Sequence, residues 1–335
     1  MKKSSAYDFI KIYDQNKTNM KVNIPICIPS YKNRKNNIIQ KLSVLKDMEV
    51  YLFLYEDDYV ISGYDKLKLE EKPNVHIILL KVTGELNIEK QSVPWKSLRC
   101  KRAFIQRYME NVSDYYFMSD DDILPEGKMV NTDCEDQRTT KTIPIYEMLA
   151  IWENYHKQHN WSMSTLTSNI AVAHCKENKM WSNNATVIQI FLMNGKLLKE
   201  NNLYFEATDK WCEDVAFSFR CIWKGIDPKK INWLAYFVGN QDGNNSLVSS
   251  LNKHKISTIG TYMYCKGNMR MHYFPDKDLK LTLRRCYPKV DSNYEKLSKI
   301  ILEAKANGQD PYDECLNWWK NRNNKDTILS DFFTE

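Results

Sequence analysis

Short apolar runs alternate with helix-periodic segments over the first 125 residues. The runs at 22–28, 50–55, 75–82 and 115–118 are rich in β-branched and aromatic residues, so they predict buried strands. Two amphipathic segments between them predict helices over 36–46 and 97–109. On the second helix the pattern places four cations on the polar face: Arg99, Lys101, Arg102 and Arg107. The alternation predicts a mostly parallel α/β sheet, in which ligands bind beyond the carboxyl ends of the strands.

The second half of the chain has a less regular pattern. It predicts helices over 144–156 and 211–225, the second with Gly225 as its C-cap. Strands are predicted over 161–173, 185–192 and 231–238. A turn is predicted over 193–196, and the loop over 239–246 is a candidate lid. We expect one domain over 1–275, divided at 125/126, and a basic, helical appendage over 276–335.

Composition adds broad limits. The 335 residues are 43% hydrophobic, which is enough for a large core. No run approaches the roughly 20 apolar residues of a membrane span, and no apolar segment follows the basic residues Lys2 and Lys3, so we expect neither a span nor a signal peptide. The nine cysteines form no C-x-x-C pair, which favours a reducing, cytoplasmic setting. The net charge of +6 permits a phosphate-rich partner without requiring one.

Three consecutive carboxylates follow the strand at 115–118. Asp120, Asp121 and Asp122 repel one another and cannot be buried unpaired. On an extended segment Asp120 and Asp122 point the same way, and such oxygen ligands suit Mg²⁺ or Mn²⁺. The sequence therefore predicts a D-x-D metal clamp here, and a solvated acidic turn is the alternative.

Further polar residues follow the other strands or open later elements. Each has a structural alternative. The acids after the second strand can cap a turn, and the two acids that open the 211–225 helix can interact favourably with the helix dipole. A histidine among aromatic residues can belong to the core, and the helical arginines can lie on a solvated face. In chain order they are Ser30, Tyr31, Arg34, Asp57, Asp58, Arg99, Arg102, Glu213, Asp214 and His272.

Together these elements resemble the GT-A class of nucleotide-sugar glycosyltransferases over residues 21–275. The resemblance rests on Ile28-Pro29-Ser30, on the D-x-D at 120–122 and on Trp211-Cys212-Glu213-Asp214, which is similar to the family's W-x-E-D element. It implies a nucleotide-sugar half at 21–125 and an acceptor half at 126–275. The donor-binding residues that follow from the resemblance and from charge are Pro29, Ser30, Tyr31, Arg34, Asp57, Asp58, Arg99, Arg102 and Asp121.

The resemblance also implies roles in the chemistry. Asp120, Asp122 and His272 would hold Mn²⁺ or Mg²⁺, which neutralises the diphosphate leaving group of a nucleotide sugar, with UDP the expected nucleotide. Asp214, beside Glu213, would be the general base that takes the acceptor's proton in inverting members. Inversion follows only if Asp214 has this role; otherwise retention is favoured.

A finer resemblance concerns the acceptor. The segment 55–64 lacks the D-D-G-S-x-D pattern of the large family-two-like enzymes. With segments 28–32, 95–99 and 117–123 it is more similar to the base-J and TET-associated glucosyltransferases, which resemble phage enzymes that glycosylate hydroxymethylated pyrimidines in DNA. This implies a DNA acceptor, and the host cytoplasm if the chain is phage-encoded. The basic stretch 277–289 suits a phosphate backbone.

Three alternatives stay open. The same basic stretch suits an anionic membrane surface near a lipid-linked saccharide, so a surface-glycan or lipid-linked acceptor is the second interpretation. A nucleotidyltransferase shares the sheet and the carboxylate–metal logic, but the turn at 29–34 lacks the glycine that its phosphate loop needs. A non-catalytic DNA- or glycan-binding module is disfavoured by the intact Asp120, Asp122 and Asp214.

Overall fold

The computed structural model divides the chain into two compact units. The first comprises residues 1–209 with 213–245, and the second comprises 210–212 with 246–335. The sequence placed the domain boundary at 275/276, thirty residues beyond the start of the main part of the second unit. The residues that the structure describes are 6–31, 34–45, 47–81, 85–88, 91–94, 98–132, 139–168, 180–206, 213–239, 251–274, 280–285 and 290–323.

The first unit alternates strands and helices. Its helices are α1 (Ala6–Asn16), α2 (Lys35–Val44), α3 (Glu56–Ile61), α4 (Leu98–Met109), α5 (Ile145–Gln158), α6 (Gly195–Glu200) and α7 (Glu213–Trp223). Its strands are β1 (Ile26–Pro29), β2 (Val50–Tyr55), β3 (Val75–Leu80), β4 (Glu85–Ile88), β5 (Gln91–Pro94), β6 (Tyr115–Ser119), β7 (Ile123–Val130), β8 (Thr140–Pro144), β9 (Met163–Ser168), β10 (Trp181–Ser182), β11 (Ile190–Asn194) and β12 (Lys229–Val238).

Ten of the described strands form one sheet, and β4 and β5 form a separate hairpin. The order is β3-β2-β1-β6-β11-β9-β12-β7-β8, with β10 paired to β12. The four strands β3, β2, β1 and β6 run parallel, as do β9 and β12. The predicted α/β sheet flanked by helices is confirmed. Because β1, β2 and β6 are parallel, their carboxyl ends lie at one edge, where the predicted site residues follow them.

The other half of the sheet is antiparallel. Strand β11 runs antiparallel to both β6 and β9, and β7 runs antiparallel to β12 and β8. Strand β7 begins directly after the three aspartates and was not predicted, because Glu126, Gly127 and Lys128 break the apolar pattern. The predicted turn at 193–196 is wrong: β11 continues to Asn194, whose side-chain oxygen accepts a hydrogen bond from Leu197 N and caps α6.

Apolar side chains fill both faces of the sheet. One cluster includes Trp152 of α5 and Trp233 of β12, and the other includes Ile105 of α4 and Phe217 of α7. Gly127 of β7 is required by packing, because a Cβ there would lie 2.7 Å from the backbone oxygen of Ala235 on β12. Gly225 follows α7 with a φ of +78°, which confirms the predicted C-cap. The two apolar clusters pack against both faces of the sheet and so hold in place the strand ends that the predicted site residues follow.

The second unit is mainly helical. It contains α8 (Leu251–Tyr264), the hairpin of β13 (Met269–Phe274) and β14 (Lys280–Arg285), α9 (Tyr294–Ala306) and α10 (Pro311–Asn323). Its core includes Tyr262 and Met271, and the Tyr262 hydroxyl donates to Asp291 Oδ2 at 2.8 Å. None of the helices in the described part of the chain combines the length and the apolar content that a membrane span requires. The predicted lid (239–246) lies outside the described residues, apart from Gly239.

Candidate active site at the carboxyl edge of the sheet

The D-x-D turn joins the end of β6 to the start of β7. The Asp120 N–H donates to the Gln189 carbonyl at 2.8 Å, and the Asp122 carbonyl accepts from Gly239 N at 2.8 Å. Gln189 has a φ of +62°, an unusual backbone conformation for a residue with a side chain. These backbone contacts come from the chain before β11 and after β12, so the antiparallel half of the sheet positions the turn.

Asp121 binds the turn after β1 rather than pointing into solvent. Its Oδ2 accepts from the Ser30 hydroxyl at 2.9 Å and from Tyr31 N at 3.2 Å. The Ser30 oxygen is also 2.9 Å from the hydroxyl of Tyr64, which follows α3. Asp121 is buried, and the resulting desolvation raises the pKa of its carboxyl to about 6. Asp121 therefore ties the three loops after β1, β2 and β6 together.

Arg34 lies between two of the aspartates. Its guanidinium is 4.0 Å from Asp121 and 3.7 Å from Asp122. At these separations the attraction is Coulombic rather than a direct hydrogen bond. Sequence analysis placed Arg34, Asp121 and Asp122 in one site, and the structure brings them together.

Arg102 joins the D-x-D turn to the N-terminus of α7. One Nη atom donates to Asp120 Oδ1 at 2.7 Å, and the other donates to Glu213 Oε1 at 2.8 Å and lies 3.8 Å from Asp214 Oδ2. The Arg102 side chain is 2% exposed. Burial opposes its charge, but the three carboxylates outweigh this effect and raise the pKa of Arg102. Carboxylates separated by more than 90 residues in sequence thus meet around one cation.

The helix that carries Arg102 is rotated relative to the predicted amphipathic arrangement. Lys101 and Arg102 were placed on the solvent face, yet each is 2% exposed, whereas Phe104 is 43% exposed. Lys101 donates to the Ser30 carbonyl and lies 4.5 Å from the centroid of the Tyr55 ring. The placement was wrong because Arg102 pairs with carboxylates and Lys101 with the Ser30 carbonyl, and these contacts outweigh the preference of cations for water.

Two buried lysines lie at the site, and sequence reasoning missed Lys41. Lys41 of α2 donates to the Asp120 carbonyl and lies 3.3 Å from the Ser119 hydroxyl. Burial lowers the pKa of Lys41 and of Lys101 to about 8, even though nearby aspartates favour the charged forms. A lysine on a helix resembles any surface lysine in sequence, so no local signal identifies Lys41, whereas Lys101 was named with Arg99 and Arg102 on the second predicted helix.

The structure distinguishes the two acids after β2. Asp57 is exposed, and its Oδ1 accepts from the N–H of Asp58 in the first turn of α3. Asp58 is 1% exposed, and neither of its carboxylate oxygens hydrogen-bonds to a described residue. A buried carboxylate without a donor is unfavourable. Asp58 is therefore the better candidate for binding a donor group of a ligand.

Ten charged side chains form what we call the carboxyl-edge cluster. Its six carboxylates and four cations leave an excess of two negative charges when all are ionised. Burial, followed by repulsion from Glu213, raises the pKa of Asp214 to about 7, although Arg102 opposes the shift. The members are Arg34, Lys41, Asp58, Lys101, Arg102, Asp120, Asp121, Asp122, Glu213 and Asp214.

This charge balance fits a divalent cation. Two excess negative charges in a desolvated cluster favour either a bound cation or the uptake of protons. Among the described residues, no group of three or more histidine, cysteine, aspartate or glutamate side chains is arranged to hold a metal ion. Asp120 and Asp122 alone would leave the remaining positions to water and phosphate oxygens, as Mg²⁺ usually requires.

Tyr236 of β12 was not predicted as part of the site. Its hydroxyl donates to Gln189 Oε1 at 2.7 Å. Its pKa is raised by burial and by Asp120, Asp214 and Asp122. No sequence signal identifies Tyr236, because it lies within an apolar strand pattern and approaches the aspartates only through sheet pairing.

The remaining predicted site residues lie as follows. Pro29 is buried at the end of β1, Tyr31 is 41% exposed, and Arg99 is partly exposed on the first turn of α4. His272 is on β13 in the second unit, where Thr282 is its partner on β14. Its role as a metal ligand stays a prediction. Several predicted positions lie outside the described residues. They are Trp211 and Cys212 of the W-x-E-D element, segment 95–97, Lys277 and Lys289.

Comparison with known proteins gives weak structural likenesses only. No protein-family model matches the sequence, and no curated protein matches it. The chain is similar to solved structures of TarS from S. aureus at 12% identity. For TarS 1–349 the likeness covers 92% of this chain and 93% of TarS 1–349, with a TM-score of 0.47. For TarS 1–349 in complex with UDP it covers 71% and 65%, with a TM-score of 0.42.

The chain thus spans just under two thirds of the UDP-bound TarS fragment, and 39% of the longer TarS structure at a TM-score of 0.42. At such scores and identities the likeness carries no argument, so the function has to be inferred from the residues of this chain.

Proposed function

We propose that this chain is a metal-dependent glycosyltransferase of the GT-A class, which moves a sugar from a nucleotide sugar to a hydroxyl group. The observation that carries the proposal is the contact of Arg102 with both Asp120 and Glu213. The D-x-D and the W-x-E-D elements were assigned to one site from their resemblance to a family. Their meeting around a buried cation supports that assignment.

The donor half of the proposed site lies after β1 and β2. The Ser30 turn, held by Asp121, and the cation Arg34 would face the diphosphate. The buried carboxylate of Asp58 would accept a hydrogen bond from the base or the ribose of the nucleotide, a donor that no described residue supplies. We propose UDP as the nucleotide, since uracil has one ring N–H that can donate a hydrogen bond to a carboxylate.

The metal would be held by Asp120 and Asp122. When bound, a divalent cation would neutralise the negative charge that gathers on the diphosphate leaving group. The chain's own contribution is to keep both carboxylates in place, through the Gln189 and Gly239 backbone contacts and through Arg102.

Asp214 is the proposed general base. Its carboxyl lies in the first turn of α7, and its pKa of about 7 is suited to accepting a proton near neutral pH. As the acceptor hydroxyl attacks the anomeric carbon, its proton would pass to Asp214 and the bond to the diphosphate would break. Inversion follows only if Asp214 is this base. Glu213 holds Arg102 and is the less suitable base.

The acceptor follows from the finer resemblance and from charge. We propose 5-hydroxymethylpyrimidines in DNA as the acceptor, supported by the basic residues of segment 277–289. A saccharide acceptor, surface-exposed or lipid-linked, is the second candidate and needs the same donor site. The two candidates differ only in what approaches Asp214.

The test is a transfer screen. Nucleotide sugars with Mn²⁺ would be incubated with hydroxymethylated DNA in one arm and with simple and lipid-linked saccharides in the other. Sugar on the DNA would support the DNA acceptor, and sugar on the saccharides alone would support the second candidate. Nucleotide transfer in place of sugar transfer would make the chain a nucleotidyltransferase. Binding of UDP with neither transfer nor hydrolysis would favour a binding module.

A further inference from the structure

Arg102 occupies a position that the proposed donor site does not explain. Sequence analysis assigned Arg102 to the phosphates of the donor. In the structure both of its terminal nitrogens are already used by protein carboxylates, at 2.7 Å from Asp120 and 2.8 Å from Glu213. Its side chain is 2% exposed. The end of the guanidinium that carries both Nη atoms therefore faces protein carboxylates, and burial leaves it poorly accessible to a phosphate.

The surroundings of Arg102 fix its orientation. The guanidinium carbon lies 5.2 Å from the centroid of the Phe191 ring on β11, so an aromatic face supports the planar group. The two Nη atoms then point to different elements, the turn after β6 and the first turn of α7. A planar fork can hold two carboxylates at once, which a lysine ammonium on a flexible stem does not reproduce.

We propose that Arg102 is a positioning residue that couples the metal-binding turn to the general base. One end of its guanidinium fixes Asp120 and the other fixes Glu213, and through Glu213 the adjacent Asp214. This inference rests on the proposed function. In this inference Arg102 does not contact the donor. The position of the base Asp214 then depends on the position of the D-x-D turn, because Arg102 binds both elements.

The coupling predicts a specific separation of kinetic effects. In the Arg102→Lys variant the positive charge remains, but only one of the two carboxylates keeps its hydrogen bond. The donor site keeps Asp122, Arg34 and Asp58. The backbone contacts of Gln189 and Gly239 still hold the turn that carries Asp120, so metal and UDP still bind. The base is displaced, and displacement of a catalytic group by about 1 Å lowers turnover by about 100-fold.

The experiment compares Arg102→Lys with Arg107→Lys. Arg107 is on the same helix, but its guanidinium lies 3.6 Å from the centroid of the Tyr204 ring and interacts with Glu110, which is not a member of the carboxyl-edge cluster. UDP affinity with Mn²⁺ is measured by calorimetry, and turnover is measured as hydrolysis of UDP-glucose and of the other UDP-sugars in the screen. We expect Arg102→Lys to keep UDP affinity within about threefold and to lose about 100-fold in kcat. Arg107→Lys should keep both.

Two results would overturn the inference. A loss of UDP affinity with kcat retained would make Arg102 a phosphate ligand. Normal kcat and normal affinity, with only a lower Tm, would reduce Arg102 to a structural ion pair.

A second measurement separates this inference from the proposed function. If the wild-type protein neither binds UDP nor cleaves any nucleotide sugar, the proposed function fails, but the bridge is still testable. Urea midpoints are then compared for Asp120→Asn, Glu213→Gln and the double variant, in the wild-type and Arg102→Lys backgrounds. We expect non-additive shifts in the wild type and additive shifts in the Arg102→Lys background, because an ammonium does not hold both carboxylates at once. Additive shifts in both backgrounds would overturn the bridge.

Discussion

Two buried charge clusters of the first unit use the same kinds of side chain but differ in balance. The first, which we call the Asp14 cluster, consists of Asp14, Lys17, Thr132 and Lys141 at the far end of β7. Burial alone would raise the pKa of Asp14, but hydrogen bonds from Lys141, Thr132 and Lys17 outweigh this effect and lower it. The second is the carboxyl-edge cluster, where desolvation raises the pKa of Asp121 and Asp214.

The difference lies in how many partners each carboxylate has. Asp14 is surrounded by two cations and a hydroxyl, so its charge is satisfied within the protein. The carboxyl-edge cluster has six carboxylates and four cations, and Asp58 accepts no hydrogen bond from any described residue. Perturbed carboxylates with a specific charge partner concentrate at functional sites. We infer that the first cluster stabilises the fold and the second is completed by ligands.

The largest effect on turnover is expected for Asp214→Asn. The amide keeps the size of the side chain and cannot accept a proton, so turnover should fall by about 1000-fold while UDP affinity is retained. Steady-state kinetics and calorimetry on the same preparation check this. Near-normal turnover would assign the base to another group.

The next largest effect is on UDP affinity, and it should distinguish the two acids after β2. Asp58→Asn removes the charge of the buried carboxylate that we place against the nucleotide, and UDP should bind between about 10-fold and 100-fold more weakly. Asp57→Asn is the matched control, since Asp57 is exposed and caps its own turn, and it should leave UDP affinity unchanged. Equal effects in the two variants would remove the role proposed for Asp58.

Titration of Asp214 should change turnover and stability in opposite directions. Turnover should fall as the pH decreases below about 7, because protonated Asp214 cannot act as a base. The folded state binds this proton at a higher pH than the unfolded chain, whose aspartates titrate near pH 4, so the contribution of Asp214 to metal-free stability should rise as the pH falls from about 7 towards about 4. The buried His156, whose pKa is lowered to about 3 by burial, contributes in the opposite sense, so the Asp214 contribution is measured as the difference from Asp214→Asn.

Urea unfolding in EDTA at pH 8, 6 and 5 measures this trend, and Asp214→Asn should reduce it. Asp14 acts in the opposite sense. Its lowered pKa contributes stability that is present above about pH 4 and is lost as the pH falls through the folded-state value. The same pH dependence of metal-free stability in the wild type and in Asp214→Asn would contradict the difference between the two clusters.

The smallest effect on turnover is expected for Asp14→Asn. Removing the charge of Asp14 should lower the free energy of unfolding by about 1–3 kcal/mol, because Lys141 loses this carboxylate while Lys17 keeps, among the described residues, only Glu147 at 3.8 Å. Turnover per folded molecule should be unchanged, because the Asp14 cluster lies at the other end of β7. Denaturant unfolding and active-site titration check both statements. A selective loss of turnover would show that the two clusters are coupled.

Much of the donor half could be predicted from the sequence because its signals are local. The apolar runs before Ser30, Glu56 and Asp120 each end in polar residues, and parallel strands bring such ends to one edge. The choice between Asp57 and Asp58 could not be made, since it depends on the angular position of each residue in the first turn of α3.

The remainder depends on contacts between distant residues. Asp121 was predicted to bind the donor, but its structural contact is with Ser30, 91 residues earlier. The burial of Arg102 and Lys101 contradicts the amphipathic pattern of α4, because carboxylates from other elements pair with them. Such pairings have no signature in the sequence of the helix itself.

The most direct test of the metal-dependent donor site is the calorimetric titration of UDP with and without Mn²⁺, on the wild-type protein and on Asp122→Ala. We predict that UDP binds the wild type only with Mn²⁺, because the excess negative charge of the carboxyl-edge cluster must be neutralised before a diphosphate can approach. We also predict that Asp122→Ala abolishes the metal-dependent binding. Absence of Mn²⁺-dependent UDP binding to the wild type, or its persistence in Asp122→Ala, would contradict the central claim.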